Sequence, residues 1–358
     1  MANRMQSMGM KQRQAGIGLV EIMISLVLGL LVSGAIVQIY LTTKRQNDMQ
    51  TSLTARQESG RFAAQIIQRD AQMTGYRGCL RDLGNVANTL NTPTDFLYRF
   101  DRHVEGFENG AGIPASITNV VAGTDVLTLR TVDDPGIVTT TTMASALADP
   151  VTVIGLDPAD PATPAADDIA LITDCGGAAI FQVTAFDTGT GTIVHNAGGA
   201  APGNVDKNLV RRFGAGSQVF TIRTTTYFIR ESDNGTGPAL WRRSGGVAPA
   251  QELAEGVENM QLLFGLDTDG NQTADEYRTA DNINANQWRN VVSVQVALLV
   301  AGVTEQVPVA AGDPPAFARV AESDPRIFTL LGEDVGPFDD GRLRRVVTFT
   351  IALRNRVA

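Results

Sequence analysis

Hydrophobic positions follow three successive rhythms along the chain. Residues 17–41 read IGLVEIMISLVLGLLVSGAIVQIYL, an apolar run in which Glu21 is the one charge. Such a run is long enough to cross a bilayer as a helix. After Lys44 the spacing changes. Met49 and Leu53 lie four apart, and Phe62, Ile66 and Met73 share one side, with Ala63 and Ile67 beside them. This is helical spacing with a single apolar stripe. Gly60 is tolerated inside such a helix at a cost of about 1 kcal/mol relative to alanine, and Gly75 and Gly78 supply the stop. The spacing therefore predicts one long helix from Ile17 to about Thr74, with a membrane half over 17–41 and an amphipathic half over 42–75.

From about Leu80 the rhythm shortens to two. TDVLTLRTV (124–132), IALITDC (169–175), AAIFQVTAF (178–186) and QVFTIRTTTYFIR (218–230) alternate, as do NVVSVQVALLVAG (290–302) and RRVVTFTIALRNR (344–356). Turn residues separate these runs, which marks them as strands. Alternation implies sheets with one buried and one wet face. The Pro/Ala/Asp stretch 157–168 and the stretch 310–325 read as irregular loops, and NAGGAAPGNVDKN, near 200–215, is a candidate boundary between two lobes of one body. The predicted fold class is α+β: a long N-terminal helix packed on a β-rich globular head over 76–358.

Composition narrows the function classes. With 43% hydrophobic and 19% charged residues, the chain has the content of a globular protein rather than a disordered one. Its net charge is −9, although the first sixteen residues carry Arg4, Lys11 and Arg13 and no acid. An acidic body is a poor non-specific ligand for nucleic acid, which needs clustered Lys and Arg against phosphate. His103 and His195 are the two histidines, and neither a G-x-S-x-G nor an H-E-x-x-H motif occurs. The sequence points away from an enzyme.

The N-terminus admits three readings. A secretory signal peptide has an apolar region of only about 7–15 residues followed by a small-residue cleavage site. The present run is longer and is followed by no such site. A plain uncleaved anchor has no reason to carry Glu21, since a carboxylate in an apolar span costs roughly 2.5–3.5 kcal/mol on insertion scales. A cut placed before the apolar run, between Gly16 and Ile17, explains that residue. It exposes an α-amino group four positions upstream of Glu21, able to pair with the Glu21 carboxylate of a neighbouring helix. Glu21, Ser25, Gly29 and Ser33 also recur every fourth position. They share one slowly drifting helix face, and small residues there let helices approach closely.

In these residues the chain resembles the type IV prepilins, whose basic leader ends in glycine and is followed by an apolar residue and a glutamate at the fifth mature position. Gly16, Ile17 and Glu21 occupy those places; isoleucine stands where phenylalanine is commoner, and Gly18 where threonine or serine is usual. The segment RQESGRFAAQIIQRDAQMTGYRGC further resembles the stretch after the membrane helix in the PilW group of minor pilins. Arg56, Gln57, Glu58, Gly60, Arg61, Phe62, Arg69, Asp70, Gly75, Tyr76, Gly78 and Cys79 carry that likeness. It returns in patches at Asp174–Cys175, at 253–271 and in the final RLRRVVTFTIALRNR. The resemblance implies a pilin-like architecture with leader 1–16, cleavage and N-methylation by prepilin peptidase, and a pairing role for Glu21. It also implies other minor pilins, the major pilin and a tip adhesin as partners. The protein would sit in the inner membrane with its head in the periplasm, then in a surface pilus serving adhesion and twitching motility. A minor pseudopilin of a type II secretion system shares the leader and Glu21, and a periplasmic binding protein with an uncleaved anchor shares the apolar run.

Two further features suggest local chemistry. Cys79 and Cys175 lie in no C-x-x-C pair, which argues against zinc or a thioredoxin-like site. In an exported protein a lone pair usually closes a disulfide, and two buried free thiols are the alternative. The acidic stretch DTDGNQTADE (267–276) places Asp267, Asp269, Asn271 and Asp275 at positions one, three, five and nine of a candidate Ca²⁺ loop, with the Thr273 carbonyl at the seventh. Gln272 replaces the glycine of the sixth place, and Arg278 stands where a bidentate glutamate belongs, although Glu276 lies nearby. A plain β-turn accounts for the same residues, and both readings stand.

Overall fold

The computed structural model describes residues 18–80, 86–132, 136–143, 151–152, 164–245, 249–302, 326–340 and 342–355. The expected leader 1–16, Ile17 and the loop at 310–325 lie outside these residues, as do residues 157–163 of the other expected loop. So do the side chains of Met49, Leu53 and Arg56.

One helix, α1 (Leu19–Gln72), opens the chain. The polypeptide divides into two compact units, residues 1–51 and 52–358. In the second unit the strands form four sheets among the described residues. The largest has nine strands: β1 (Val86–Asn88), β2 (Val104–Phe107), β3 (Val126–Val132), β4 (Ile137–Val138), β6 (Ile169–Asp174), β7 (Gly177–Gln182), β10 (Gln218–Glu231), β11 (Pro238–Ser244) and β12 (Gln251–Glu255). A four-stranded sheet runs in the order β14 (Glu276–Arg278), β13 (Val257–Leu266), β15 (Val291–Ala301) and β18 (Arg344–Ala352). Two small sheets, β5 (Val151–Thr152) with β9 (Thr192–Val194) and β8 (Ala185–Asp187), and β16 (Phe328–Leu330) with β17 (Glu333–Val335), complete it.

Strand β10 organises the large sheet. Its start pairs with β4 and β6, its middle with β3, and its second half also with β11. The β-branched run TIRTTTYFI suits a strand flanked on both sides. The sheet takes strands from both sides of residues 200–215, so that stretch does not part the sheet into lobes. Its Gly, Asn and Pro residues make turns, pinned by Asn204. The Asn204 side chain accepts from the Gln182 N–H at 2.7 Å and donates to the Gln182 and Asn196 carbonyls at 2.8 and 3.0 Å.

The main core lies where the end of α1 meets both large sheets. Ala63, Ile67 and Ala71 are buried with Leu127, Leu129 and Tyr227 of the nine-stranded sheet and with Met260, Val296 and Leu298 of the four-stranded one. The buried face of α1 keeps Ala63 and Ile67 of the expected stripe and is turned away from its other members. Phe62 is 46% exposed, and Ile66 and Met73 are only partly buried. Gly60, Ala63 and Ala71 flank Ile67 on this face because the helix lies close against β15 and β18. A Cβ added at Gly60 would sit 3.1 Å from Val347 Cγ2 and 3.3 Å from Val300 Cγ2. Gly60 is a contact, not a tolerated weakness.

Past Gln72 the chain turns out of the helix. Gly75 takes φ +75° and its N–H donates to the Arg130 carbonyl at 3.2 Å. The structure bonds Cys79 to Cys175, tying the helix exit to the end of β6. Above it, Glu105 on β2 gathers Arg99, Arg102 and Arg130 at 2.8–3.0 Å. Arg130 also donates to the Phe96 and Arg102 carbonyls, and burial lowers its guanidinium to about 10. Both histidines are buried within the body, with His103 Nε2 3.1 Å from the Val291 carbonyl oxygen.

Candidate functional site

The first half of α1 presents a surface that the rest of the described chain leaves bare. Residues Leu19–Asp48 are apolar and long enough to cross a membrane, and none of that span is buried. Its large side chains from Leu19 to Leu41 are 47–75% exposed. Glu21 sits in the first turn, its N–H donating to the Gly18 carbonyl at 2.9 Å. Four residues on, the Ser25 hydroxyl donates to the Glu21 carbonyl at 2.7 Å. In a medium without water a hydroxyl must find a partner, and the helix backbone supplies one. Ser25 thus offers its neighbours small size rather than a free donor. A Cβ built on Gly29 would meet nothing within 4 Å. The structure places Glu21, Ser25, Gly29 and Ser33 on one helix, all exposed. Gly16 and Ile17 lie outside the described residues.

The second half of α1 is held by polar contacts as well as by its apolar face. The Tyr227 hydroxyl on β10 donates a very short hydrogen bond to Asp70, and the Arg242 guanidinium lies 3.5 Å from the same carboxylate oxygen. Burial, followed by the Asp70 charge, pushes the Tyr227 phenol well above its ordinary value. Asn355 near the C-terminus donates to the Gln72 carbonyl. In the sequence, Asp70 reads as a charge on a solvated helix face. Its partners lie on β10 and β11, and no local spacing could reveal them.

The acidic loop folds as a tight cluster between β13 and β14. One oxygen each from Asp267, Asp269 and Asp275 lie within 4.8 Å of one another. Asp267 accepts from the Gly270 and Gln272 N–H groups at 2.7 and 2.9 Å, and Asn271 accepts from the Thr273 N–H at 2.8 Å. The Thr268 N–H and hydroxyl hold the exposed Asp275 carboxyl below its usual range. Gln272, in the place where glycine was expected, takes the left-handed conformation itself at φ +68°. Glu276, the expected substitute for the bidentate ligand, instead pairs with Arg278 at 2.6 Å.

Residues 226–355 match the family "Type IV Pilus-assembly protein W", PilW. The matched stretch runs from the second half of β10 through β18. It includes the acidic loop and the C-terminal strand, and it leaves out α1 and the QESGRFA segment. No curated protein and no solved structure matches the chain. The C-terminal likeness to a pilus-assembly family and the membrane-capable helix carried on a β-rich head point the same way. PilW-type proteins are structural pilins rather than enzymes, and no catalytic cluster occurs among the described residues.

Proposed function

We propose that the protein is a minor pilin of a type IV pilus. Prepilin peptidase cuts it between Gly16 and Ile17 and methylates the new terminus. Held first in the inner membrane with its head in the periplasm, it is withdrawn into the base of a filament, where it primes assembly with other minor pilins and carries a tip adhesin. The observation that carries this reading is the contrast along α1. Its first half is apolar and exposed, and its last turns pack into a body whose residues 226–355 match the PilW family. Glu21 then serves register, by pairing with the exposed amine of the adjoining subunit. Ser25, Gly29 and Ser33 let that subunit's helix approach. A deletion strain, scored for surface pili with retraction active and disabled, tests the reading. We expect few pili in the first case and partial recovery in the second. Normal piliation in both would end it. Intact mass of the native protein checks the cut independently: loss of residues 1–16 and gain of one methyl group are expected.

We propose also that the 267–275 loop binds Ca²⁺ weakly. The gathered carboxylates of Asp267, Asp269 and Asp275, with Asn271 and the Thr273 carbonyl, offer alternating hard oxygens. With Glu276 engaged by Arg278, no bidentate carboxylate completes the set. The affinity should therefore fall near the 10⁻⁴–10⁻³ M class of extracellular sites, roughly. Titration calorimetry of the full chain in detergent micelles should show binding heat that Asp267→Ala removes. No heat in the unaltered protein would leave a plain turn.

A further inference from the structure

Strand β18 closes one side of the four-stranded sheet and, among the described residues, pairs with β15 alone. The pairing is unbroken over all nine residues, with no bulge. Other sheet edges are guarded differently. β14 has three residues, and β12 has five, carries Glu252 and Glu255, and pairs through a bulge. Long flat edges are ready templates for another strand, and β18 is the longest edge strand among the described residues.

Parity identifies which groups it offers. The Leu343 carbonyl and the Leu353 N–H both bond across to β15, with Gly302 and Val292. In an antiparallel ladder alternate residues face the same neighbour. The odd-numbered residues of β18 therefore serve β15, and Arg344, Val346, Thr348, Thr350 and Ala352 turn their backbone N–H and C=O groups outward. Thr348, Thr350 and Ala352 are exposed and small, so nothing bulky obstructs an incoming strand.

Charge selects the occupant. Residues 342–355 contain Arg342, Arg344, Arg345 and Arg354 and no acid, in a chain whose net charge is −9. Arg344 is spent on Glu258 and Asp340, at 3.0 and 2.6 Å. Arg345 and Arg354 are exposed, one at each end of the edge, with no ion-pair partner among the described residues. A second copy laid antiparallel on the same edge would bring arginine ends against arginine ends, which is unfavourable across a ladder. We infer that β18 accepts, by strand addition, an extended segment of a different protein that carries carboxylates near both ends. This inference rests on the edge alone and holds whether or not the chain works in a pilus.

The test uses the full chain in detergent micelles and two synthetic peptides of alternating threonine and valine. One ends in glutamates and the other in lysines, set about 30 Å apart when extended. Fluorescence anisotropy should show the glutamate peptide binding about tenfold more tightly than the lysine peptide, from opposite against like charges at two positions. Thr348→Pro removes one outward N–H without touching the β15 ladder and should abolish binding, while Thr348→Val retains it. Arg345→Glu combined with Arg354→Glu leaves the backbone alone and should reverse the preference. Equal binding of both peptides would overturn the inference. So would no binding at millimolar peptide, as when residues 303–325 of this chain fill the edge. Self-association of the full chain that Thr348→Pro dissolves would overturn it too, and would name a second copy as the occupant.

Discussion

Gly29 and Gly60 stand on the same helix and mean opposite things. Around Gly29 a methyl group would touch nothing within 4 Å, whereas around Gly60 it would press on Val347 and Val300. Both glycines weaken the helix by about 1 kcal/mol relative to alanine. For Gly60 the return is visible inside the chain, as close packing of α1 on β15 and β18. For Gly29 the described residues offer no such contact. A small residue that costs stability and meets no neighbour in its own fold is suited to one in another molecule. The two halves of α1 are thus separable: one belongs to the folding of the head, the other to what the head is carried by.

The largest effect that can sharpen this separation comes from the disulfide, which lies wholly within the head. Cys79 and Cys175 are 96 residues apart. Closing a loop of that length stabilises by roughly 4–5 kcal/mol in the chain-entropy treatment. Cys79→Ser with Cys175→Ser should lower the thermal midpoint of the head by many degrees in detergent. The helicity of the span at Leu19–Asp48 should survive to higher temperature. Loss of both signals in one transition would show that the two halves are not independent.

Gly60 comes next. Gly60→Ala gains about 1 kcal/mol of helix propensity and spends it against neighbours at 3.1 and 3.3 Å, so its net effect should be small. Gly60→Val cannot be accommodated without moving β15 or β18 and should cost about 1–3 kcal/mol as an overpacked core. Chemical unfolding of the full chain measures the difference. A neutral Gly60→Val would mean that the helix is not seated closely on the four-stranded sheet.

Much of this architecture was legible in the sequence, and the unread part has a physical cause. The apolar run, the helix stop near Gly75 and the strands β3, β6, β7, β10, β15 and β18 are legible in local patterning and the structure has them, whereas β11 and β13 are not read from it as strands. The inward face of α1 is legible in part: Ala63 and Ile67 of the expected stripe are buried, whereas Phe62 is left exposed because the helix lies too close to the sheet there for a large side chain. The Asp70–Tyr227–Arg242 contact, and the arrival of Arg130 beside Glu105, join residues of different elements. Nothing in their spacing announces them. The acidic loop was readable as a cluster because its members are neighbours. The engagement of Glu276 by Arg278 was not, since Glu276 reads equally well as a ligand.

Asp125 gives a pH handle on the head alone. It is 1% exposed and accepts N–H groups of Asn109 and Leu262, both at 2.8 Å, so it ties β3 to β13. Burial raises its carboxyl to about 7, helped by Glu108 and Glu333 and opposed by those two N–H groups. The folded state therefore holds a proton that the unfolded chain releases near pH 4. Between these values the native state binds more protons, and stability falls as pH rises from about 4 to about 7, then levels. In Asp125→Asn this downward slope should be absent, whatever the variant's absolute stability. A slope unchanged in the variant would assign the titration to another group.

The smallest expected effect on folding is the one that decides most. Gly29→Val places a branched side chain where the described chain has no atoms within reach. It should therefore leave the unfolding of the head unaltered within about 0.5 kcal/mol, the usual range for a surface change. The same variant obstructs the face shared by Glu21, Ser25 and Ser33, and a neighbouring helix would have to stand off from it. If that face packs in a filament, surface pili should fall towards the deletion level while the protein stays abundant in the inner membrane. Gly34, equally free of contacts but off the four-residue repeat, is the control: Gly34→Val should be tolerated better. Equal loss at both positions would show that the whole span matters rather than one face. No loss at either would leave Gly29 unexplained and return the first half of α1 to the role of a plain anchor.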